Sequence, residues 1–153
     1  MAMKQKNFVF FGIALLVVVL DQLTKFWITS TMSFADSIAL IPNFMNLNLI
    51  KNFGIGFGLA NLPAARLFLI IITSIIIIGI LYYYQKIPAK VLPVVSASLI
   101  LGGALGNLID RILLGFVVDF IDFQVWPAFN VADSAITIGV IGLIIYFWRE
   151  KNQ

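Results

Sequence analysis

The sequence contains no cysteine and no histidine. These two absences exclude disulfide bonds, cysteine nucleophiles, histidine-containing triads and metal sites built from thiolate or imidazole ligands. Acid–base chemistry would therefore have to come from Asp, Lys, Tyr or Glu side chains. A metal site made only of oxygen ligands stays possible from this composition. The acidic residues show no close spacing typical of such a site, so we expect neither a metal ion nor a cofactor.

Charged residues are also scarce, at 11% of the 153 residues, whereas hydrophobic residues make up 61%. The mean hydropathy of +1.05 is too high for a soluble domain of this length. A helix of about 20 mostly apolar residues can span a bilayer. Apolar stretches predict four such helices, at about 8–28, 66–84, 91–110 and 131–148. We therefore expect a single all-α polytopic membrane domain, residues 1–153, with a small β-strand segment on its outer face.

Basic residues predict how these helices are oriented. They precede the first helix, occupy the connection between the second and third, and follow the fourth: Lys4, Lys6, Lys86, Lys90, Arg149 and Lys151. By the positive-inside rule, these three segments face the cytoplasm. Both termini should then be cytoplasmic, and the first helix should stay as an uncleaved span because no small-residue cleavage site follows it. The basic pI of about 9.3 requires no nucleic-acid partner.

Acidic residues show the opposite placement. Six of the seven lie at the predicted outer edge: Asp21, Asp36, Asp110, Asp119, Asp122 and Asp133. A carboxylate at the border of the hydrocarbon is costly and suggests a functional site. Asp119 lies among apolar residues that would raise its pKa, while Asp133 falls in the first turn of the fourth helix and could be a simple helix-start acid. If the two are neighbours, they would share a proton, and one could act as base and the other as acid.

The third predicted helix carries a stripe of polar and small residues. At 100° per residue, Ser96, Gly103, Asn107, Asp110 and Arg111 fall within one arc. Two explanations stay open for it. Small residues let neighbouring helices pack closely, with Asp110 and Arg111 paired at the helix end; alternatively, the stripe leads to a functional site.

In the first helix, Asp21 and Lys25 are spaced four residues apart and could pair on one face. This pair is explained equally well as a structural salt bridge or as support for a site. A serine–lysine nucleophilic pair is a further possibility, with Lys25 as base and Ser30, Ser33 or Ser134 as nucleophile. No serine has a sequence context that favours it.

The outer segment between the first two helices, 29–66, is less helical in character. Residues 44–49 alternate apolar and polar side chains, which predicts a short strand. Glycines then recur at every second position in Asn52-Phe53-Gly54-Ile55-Gly56-Phe57-Gly58, a pattern that permits unusual dihedrals, close backbone approach or a flexible loop. Asn61-Leu62-Pro63 could start the second helix.

Five motifs, in order along nearly the whole chain, resemble those of the bacterial lipoprotein (type II) signal peptidases. They are Asp21-Gln22-Leu23-Thr24-Lys25, Asn52-Phe53-Gly54-Ile55-Gly56-Phe57-Gly58, Gly103-Ala104-Leu105-Gly106-Asn107-Leu108-Ile109-Asp110-Arg111, Val117-Val118-Asp119-Phe120 and Phe129-Asn130-Val131-Ala132-Asp133-Ser134. Each motif alone is weak, but five in register with four spans are specific.

The resemblance implies an aspartic endopeptidase of the bacterial cytoplasmic membrane, active as a monomer near the outer leaflet. It implies a substrate, a prolipoprotein cleaved before its diacylglyceryl-modified cysteine, and contact with membrane lipid. It also implies an outer β-cradle and a catalytic pair, Asp119 and Asp133. The supporting residues that it implies are Asp21, Lys25, Asn52, Gly54, Asn107, Asp110, Arg111 and Asn130.

Two other classes of protein could have such a composition. A small four-span transporter or channel subunit could use acids as proton relays, but transporter sites tend to lie near the midplane and to show internal repeats. The acids of this chain lie at the predicted outer edge, and its two halves show no repeat. An assembly subunit without chemistry would leave Asp119 and Asp133 unexplained.

Overall fold

The computed structural model describes residues 1–54 and 63–152. It contains four long helices and a three-stranded sheet. The elements are α1 (Met3–Thr31), β1 (Ser37–Ile41), β2 (Met45–Asn52), α2 (Pro63–Tyr83, followed by a 3-10 turn, Tyr84–Lys86), α3 (Val91–Leu113), β3 (Val117–Asp122) and α4 (Val131–Lys151). Each helix is long and apolar enough to cross a membrane. The predicted fold class, four transmembrane helices with a small β segment, is confirmed.

Helix bounds differ from the apolar stretches that predicted them. α1 begins at Met3 and continues to Thr31, and α3 continues to Leu113. Polar residues therefore extend the helices, because a backbone near hydrocarbon has few hydrogen-bond partners other than itself. Pro63, the first residue described after the gap, is already helical; the rest of the predicted helix start, Asn61 and Leu62, lies outside the described residues.

The centre of the bundle is α3, against which α1, α2 and α4 all pack. Its glycines make the closest approaches. A Cβ on Gly102 would lie 2.6 Å from the Ala14 carbonyl oxygen of α1, and a Cβ on Gly103 would collide with the Ala132 carbonyl of α4. Glycine at both positions therefore lets the helices pack closely, as small residues do between membrane helices. This packing brings α1 and the first turn of α4 close to α3, where the site lies.

The sheet has the order β1–β2–β3 and is antiparallel throughout. β2 corresponds to the predicted strand at 44–49 but extends to Asn52, so that Asn52 pairs with Val117 of β3. The inner side of the sheet packs on the end of α1 through a small cluster of Ile28, Leu49, Val118 and Phe120. The sheet thus places β3, with Asp119, over the end of the helical bundle.

Lys6 has a different environment from the other basic residues at its end of the bundle. Its side chain is buried, and its ammonium donates to the carbonyls of Gln85 (3.0 Å) and Ile87 (2.6 Å) just after α2. These carbonyls have no helical partner, so Lys6 satisfies them and joins α1 to the end of α2.

Candidate active site

The ten predicted site residues converge at one end of the bundle, under the sheet. They come from α1, β2, α3, β3 and the start of α4. Six of them have almost fully buried charged or amide side chains: Asp21, Lys25, Asn107, Asp110, Asp119 and Asn130. Buried polar groups of this number are expected to be hydrogen-bonded to one another.

Asp119 lies on β3, opposite Ile50 of β2, and only 1% of it is exposed. One carboxylate oxygen accepts from the Asn52 amide at 2.7 Å and the other from the Asn130 amide at 2.8 Å. Burial, the largest cause, and the nearby Asp133 raise the pKa of Asp119, the two amide hydrogen bonds lower it, and the net result is a pKa of about 6. Asp119 is therefore a carboxyl group that can carry or release a proton near neutral pH.

Asp133 is the third residue of α4 and is half-buried. It forms a capping box with Asn130: the Asp133 N–H donates to the Asn130 side chain at 2.9 Å, and the Asn130 N–H donates back to the carboxylate at 3.3 Å. Its other oxygen accepts from Asn107 at 2.8 Å. Asp133 also faces a cavity of about 290 Å³, lined in addition by Trp126, Phe129, Ser134, Thr137 and Ile138. This carboxylate is both held by the fold and open to a ligand.

Asn130 joins the two acids. Its side-chain oxygen caps α4, while its amide donates to Asp119, to the Asn107 oxygen at 3.1 Å and to the Val118 carbonyl at 3.2 Å. One side chain thus holds Asp119 from β3 and Asp133 from α4 in a common arrangement.

A second layer of charge lies behind this pair. The Lys25 ammonium contacts Asp21 at 2.8 Å and Asp110 at 2.9 Å, and it donates to the Asn107 oxygen at 3.1 Å. Asn107 in turn donates to Asp133. Because the amide oxygen of Asn107 faces Lys25, its NH₂ group is directed towards the carboxylate of Asp133.

The two buried carboxylates of this layer hold the backbone next to each acid of the pair. Asp21 accepts from the N–H of Ala132 at 3.0 Å, one residue before Asp133. Asp110 accepts from the N–H of Val118 at 3.0 Å, one residue before Asp119. Asp110 therefore pairs with Lys25, rather than with Arg111 as the packing explanation of the α3 stripe supposed.

Gly54 orients Asn52. Its N–H donates to the Asn52 side-chain oxygen at 2.7 Å, which leaves the Asn52 amide to donate to Asp119. Gly54 has φ +81°, and a Cβ there would lie 2.5 Å from Leu69 and 3.8 Å from the Arg111 guanidinium. Only glycine fits this position without strain. The other two predicted glycines of this motif, Gly56 and Gly58, lie outside the described residues.

Arg111 lies near the end of α3, within electrostatic range of Asp133, Asp110 and Asp119. Its backbone carbonyl accepts from the side chain of Arg66 at 2.9 Å, and Arg66 also donates to the Ile112 carbonyl. Arg66 was not among the predicted site residues. It fixes the beginning of α2 to the end of α3.

Gln22 was also missed by the sequence reasoning. Its amide donates to Asp21 at 3.2 Å, to Asp110 at 3.0 Å and to the Gly106 carbonyl at 3.2 Å, so it joins the two buried carboxylates a second time. The signal that could have found it is an amide side chain within the length of a transmembrane helix, where polar groups usually have a partner on another helix.

The other acids and serines considered in the sequence lie outside the network around the acid pair or do not contact Lys25. Asp36 and Asp122 accept hydrogen bonds at the edges of the sheet, outside the network around the pair. Ser134 donates to the Asn130 carbonyl and Ser30 to that of Phe26, so neither pairs with Lys25. Within residues 1–54 and 63–152, no three acidic side chains are grouped so that they could hold a metal ion.

Four spanning helices and an acid pair held in a buried polar network define a multi-pass membrane protein with a site suited to acid–base chemistry. Comparison with known proteins specifies it further. The model of the signal peptidase (SPase) II family matches residues 13–149. The chain belongs to this family, and it is a membrane-bound bacterial protease. The family resemblance carried by the five motifs is confirmed.

Relatives and solved structures agree over most of the chain. A lipoprotein signal peptidase of Halothermothrix orenii is 42% identical over 140 residues, covering 92% of this chain and 95% of the relative. One from Staphylococcus aureus is 46% identical over 146 residues, covering 92% and 88%. A solved bacterial membrane enzyme structure that is 40% identical superposes with a TM-score of 0.82, covering 97% of this chain and 90% of that one.

Proposed function

We propose that this protein is an aspartic endopeptidase that removes the signal peptide of prolipoproteins, cleaving before the diacylglyceryl-modified cysteine, with Asp119 and Asp133 as the catalytic pair. The observation that carries the proposal is the bridge made by Asn130. It holds a buried carboxyl of raised pKa and a second carboxyl that faces a cavity in one network. The family supports the reaction, since its members compared above are lipoprotein signal peptidases.

The environments of the two acids suggest a division of roles. Asp133 faces the cavity and is held by two N–H donors, so we assign it the role of the base that contacts water. Asp119 is the better proton carrier because burial raises its pKa. In the first step, Asp133 takes a proton from water, the water oxygen bonds to the scissile carbonyl carbon, and Asp119 gives its proton to the carbonyl oxygen. In the second step, Asp133 passes its proton to the leaving nitrogen as the C–N bond breaks, and the intermediate returns a hydroxyl proton to Asp119.

The arrangement of charge supports a topology for this reaction. With both termini cytoplasmic, the acid pair lies near the outer leaflet of the cytoplasmic membrane. A lipid-anchored substrate could then reach the pair by lateral movement, with its acyl chains still in the bilayer. The anchor would supply much of the affinity, at about 0.8 kcal/mol per buried CH₂ group. All catalytic groups come from one chain, so we propose that the monomer is active.

The test uses purified protein in detergent with a prolipoprotein that either carries or lacks the diacylglyceryl group. Wild-type protein should release the signal peptide from the lipid-modified substrate, insensitive to serine, thiol and metal-chelating reagents. Asp119→Asn and Asp133→Asn should each abolish release while the protein stays folded. Asp36→Asn is the matched control, since Asp36 is an exposed acid on the same side and should keep full activity. Turnover by either variant of the pair at the wild-type rate would rule out the assignment.

A further inference from the structure

A groove runs between α2 and α4 at the end of the bundle opposite the acid pair, with α3 as its floor. Both helices pack against α3, and the space between them measures about 630 Å³, which is within the range of ligand sites in proteins. Its walls are almost entirely apolar. Representative lining residues are Ile76 and Gly79 of α2, Ala97 and Ile100 of α3, and Leu143 and Phe147 of α4.

Gly79 shows that the groove is not filled by the protein itself. A Cβ at this position would meet nothing within 4 Å. Helix packing therefore does not require a glycine here, although glycine is less favourable than alanine inside a helix. In Gly102 and Gly103, by contrast, the space is occupied by neighbouring helices. The surface at Gly79 is thus left free for something that enters from outside the bundle.

Lys86 is the charged residue that lines this groove in the described part of the chain. Its side chain is exposed, and its ammonium lies over the rings of Tyr83 (4.9 Å) and Tyr82 (5.9 Å), residues typical of the membrane interface. The acid at this end, Glu150, pairs with Lys90. Among the described residues, Lys86 makes no ion pair, so its positive charge at the mouth of the groove is not neutralised.

We propose that this groove binds an anionic phospholipid, with an acyl chain along α3 and the phosphate beside Lys86. Basic pockets between transmembrane helices bind such head groups. An apolar signal-peptide helix would fit the walls less well electrostatically, because the region preceding its apolar stretch is positively charged and would meet Lys86. The leaflet, but not the binding itself, depends on the proposed topology, and the binding is independent of the proposed peptidase activity.

Native mass spectrometry of the purified full chain tests the charge recognition, with phosphatidylglycerol and phosphatidylcholine of identical acyl chains as probes. Wild-type protein should retain phosphatidylglycerol about fivefold better, the effect of roughly 1 kcal/mol for one basic side chain near an anionic head group. Lys86→Gln should bring the ratio to about one. Lys151→Gln, which removes a charge that does not line the groove, should leave the ratio unchanged. Equal retention of both lipids by wild-type protein would overturn the proposal.

Filling the groove tests its location. Gly79→Leu should reduce retention of both lipids severalfold, while Gly12→Leu should not, since a Cβ at Gly12 also meets nothing within 4 Å but that residue does not line the groove. Circular dichroism and thermal unfolding would verify that both variants fold. If Gly79→Leu kept wild-type lipid retention and instead raised KM for prolipoprotein, the groove would belong to the signal peptide and the proposal would be wrong.

Discussion

Replacing Asn130 by Asp provides a sharp test of how the acid pair is held. Aspartate has the same shape and keeps an oxygen that can cap α4 by accepting from the Asp133 N–H. It removes the amide that donates to Asp119 at 2.8 Å and puts a third carboxylate oxygen in its place. The helix start is thereby retained while the stabilisation of ionised Asp119 is lost.

The expected size of the effect follows from that one contact. A hydrogen bond to a charged group is worth about 1.5–3 kcal/mol, and one pKa unit corresponds to about 1.36 kcal/mol. Loss of the bond should therefore raise the pKa of Asp119 by about one to two units, from about 6 to about 7–8. Protonated Asp119 is then favoured in the folded state relative to the unfolded state, whose pKa is about 4. The free energy of unfolding should therefore fall as pH rises from about 4 to about 7–8, whereas in the wild type this fall should end near pH 6.

The assay is the pH profile of kcat/KM for release of the signal peptide from lipid-modified prolipoprotein. The limb on which activity falls with rising pH should move upward by one to two units in Asn130→Asp, reporting the coupled pair rather than either acid alone. Asn130→Ser also caps the helix and removes the same amide, but it brings no charge. Its limb should therefore move upward by a similar amount, and any larger movement in Asn130→Asp would come from repulsion by the added carboxylate. An unchanged limb in Asn130→Asp would refute the role given to the Asn130 amide.

Three further predictions concern the ion network, the helix packing and the topology. Lys25→Met should lower the free energy of unfolding by about 3–5 kcal/mol, because it leaves the buried carboxylates of Asp21 and Asp110 without their cation. Thermal unfolding should show that replacing Asp21 and Asp110 by Asn in the same chain recovers much of this loss. Gly103→Ala should cost about 1–3 kcal/mol and reduce cleavage, since its Cβ would push on the first turn of α4, whereas Gly12→Ala should be neutral or slightly stabilising. Single cysteines introduced in this cysteine-free chain should react with an impermeant thiol reagent on intact cells at Gln124 but not at Gln85; the reverse pattern would invert the topology.

Hydropathy was sufficient to predict the helices because lipid leaves the backbone few alternatives to helical hydrogen bonding. The strands were harder. β2 shows an alternating pattern. Every residue of β1, Ser37–Ile41, is exposed, so its sequence does not need to alternate apolar and polar residues. Its pairing with β2 was therefore not predictable from the pattern of side chains.

For the site, sequence reasoning identified groups that are costly near lipid, and the motif resemblance indicated which of them belong together. It could not identify Arg66, which donates to the backbone carbonyls of Arg111 and Ile112. Every residue has a backbone carbonyl, so the residue types at these acceptor positions do not indicate the contact. Nor could it show that Asn52 is oriented by the Gly54 N–H. Both features depend on chain segments that meet only after folding.

The shared ammonium of Lys25 has a mechanical consequence. Asp21 is attached to the backbone before Asp133, Asp110 is attached to the backbone before Asp119, and both are bound to the same cation. The two attachment points are therefore joined through one ammonium group that connects α1 to α3. Loss of that single group would loosen the backbone beside both acids at once.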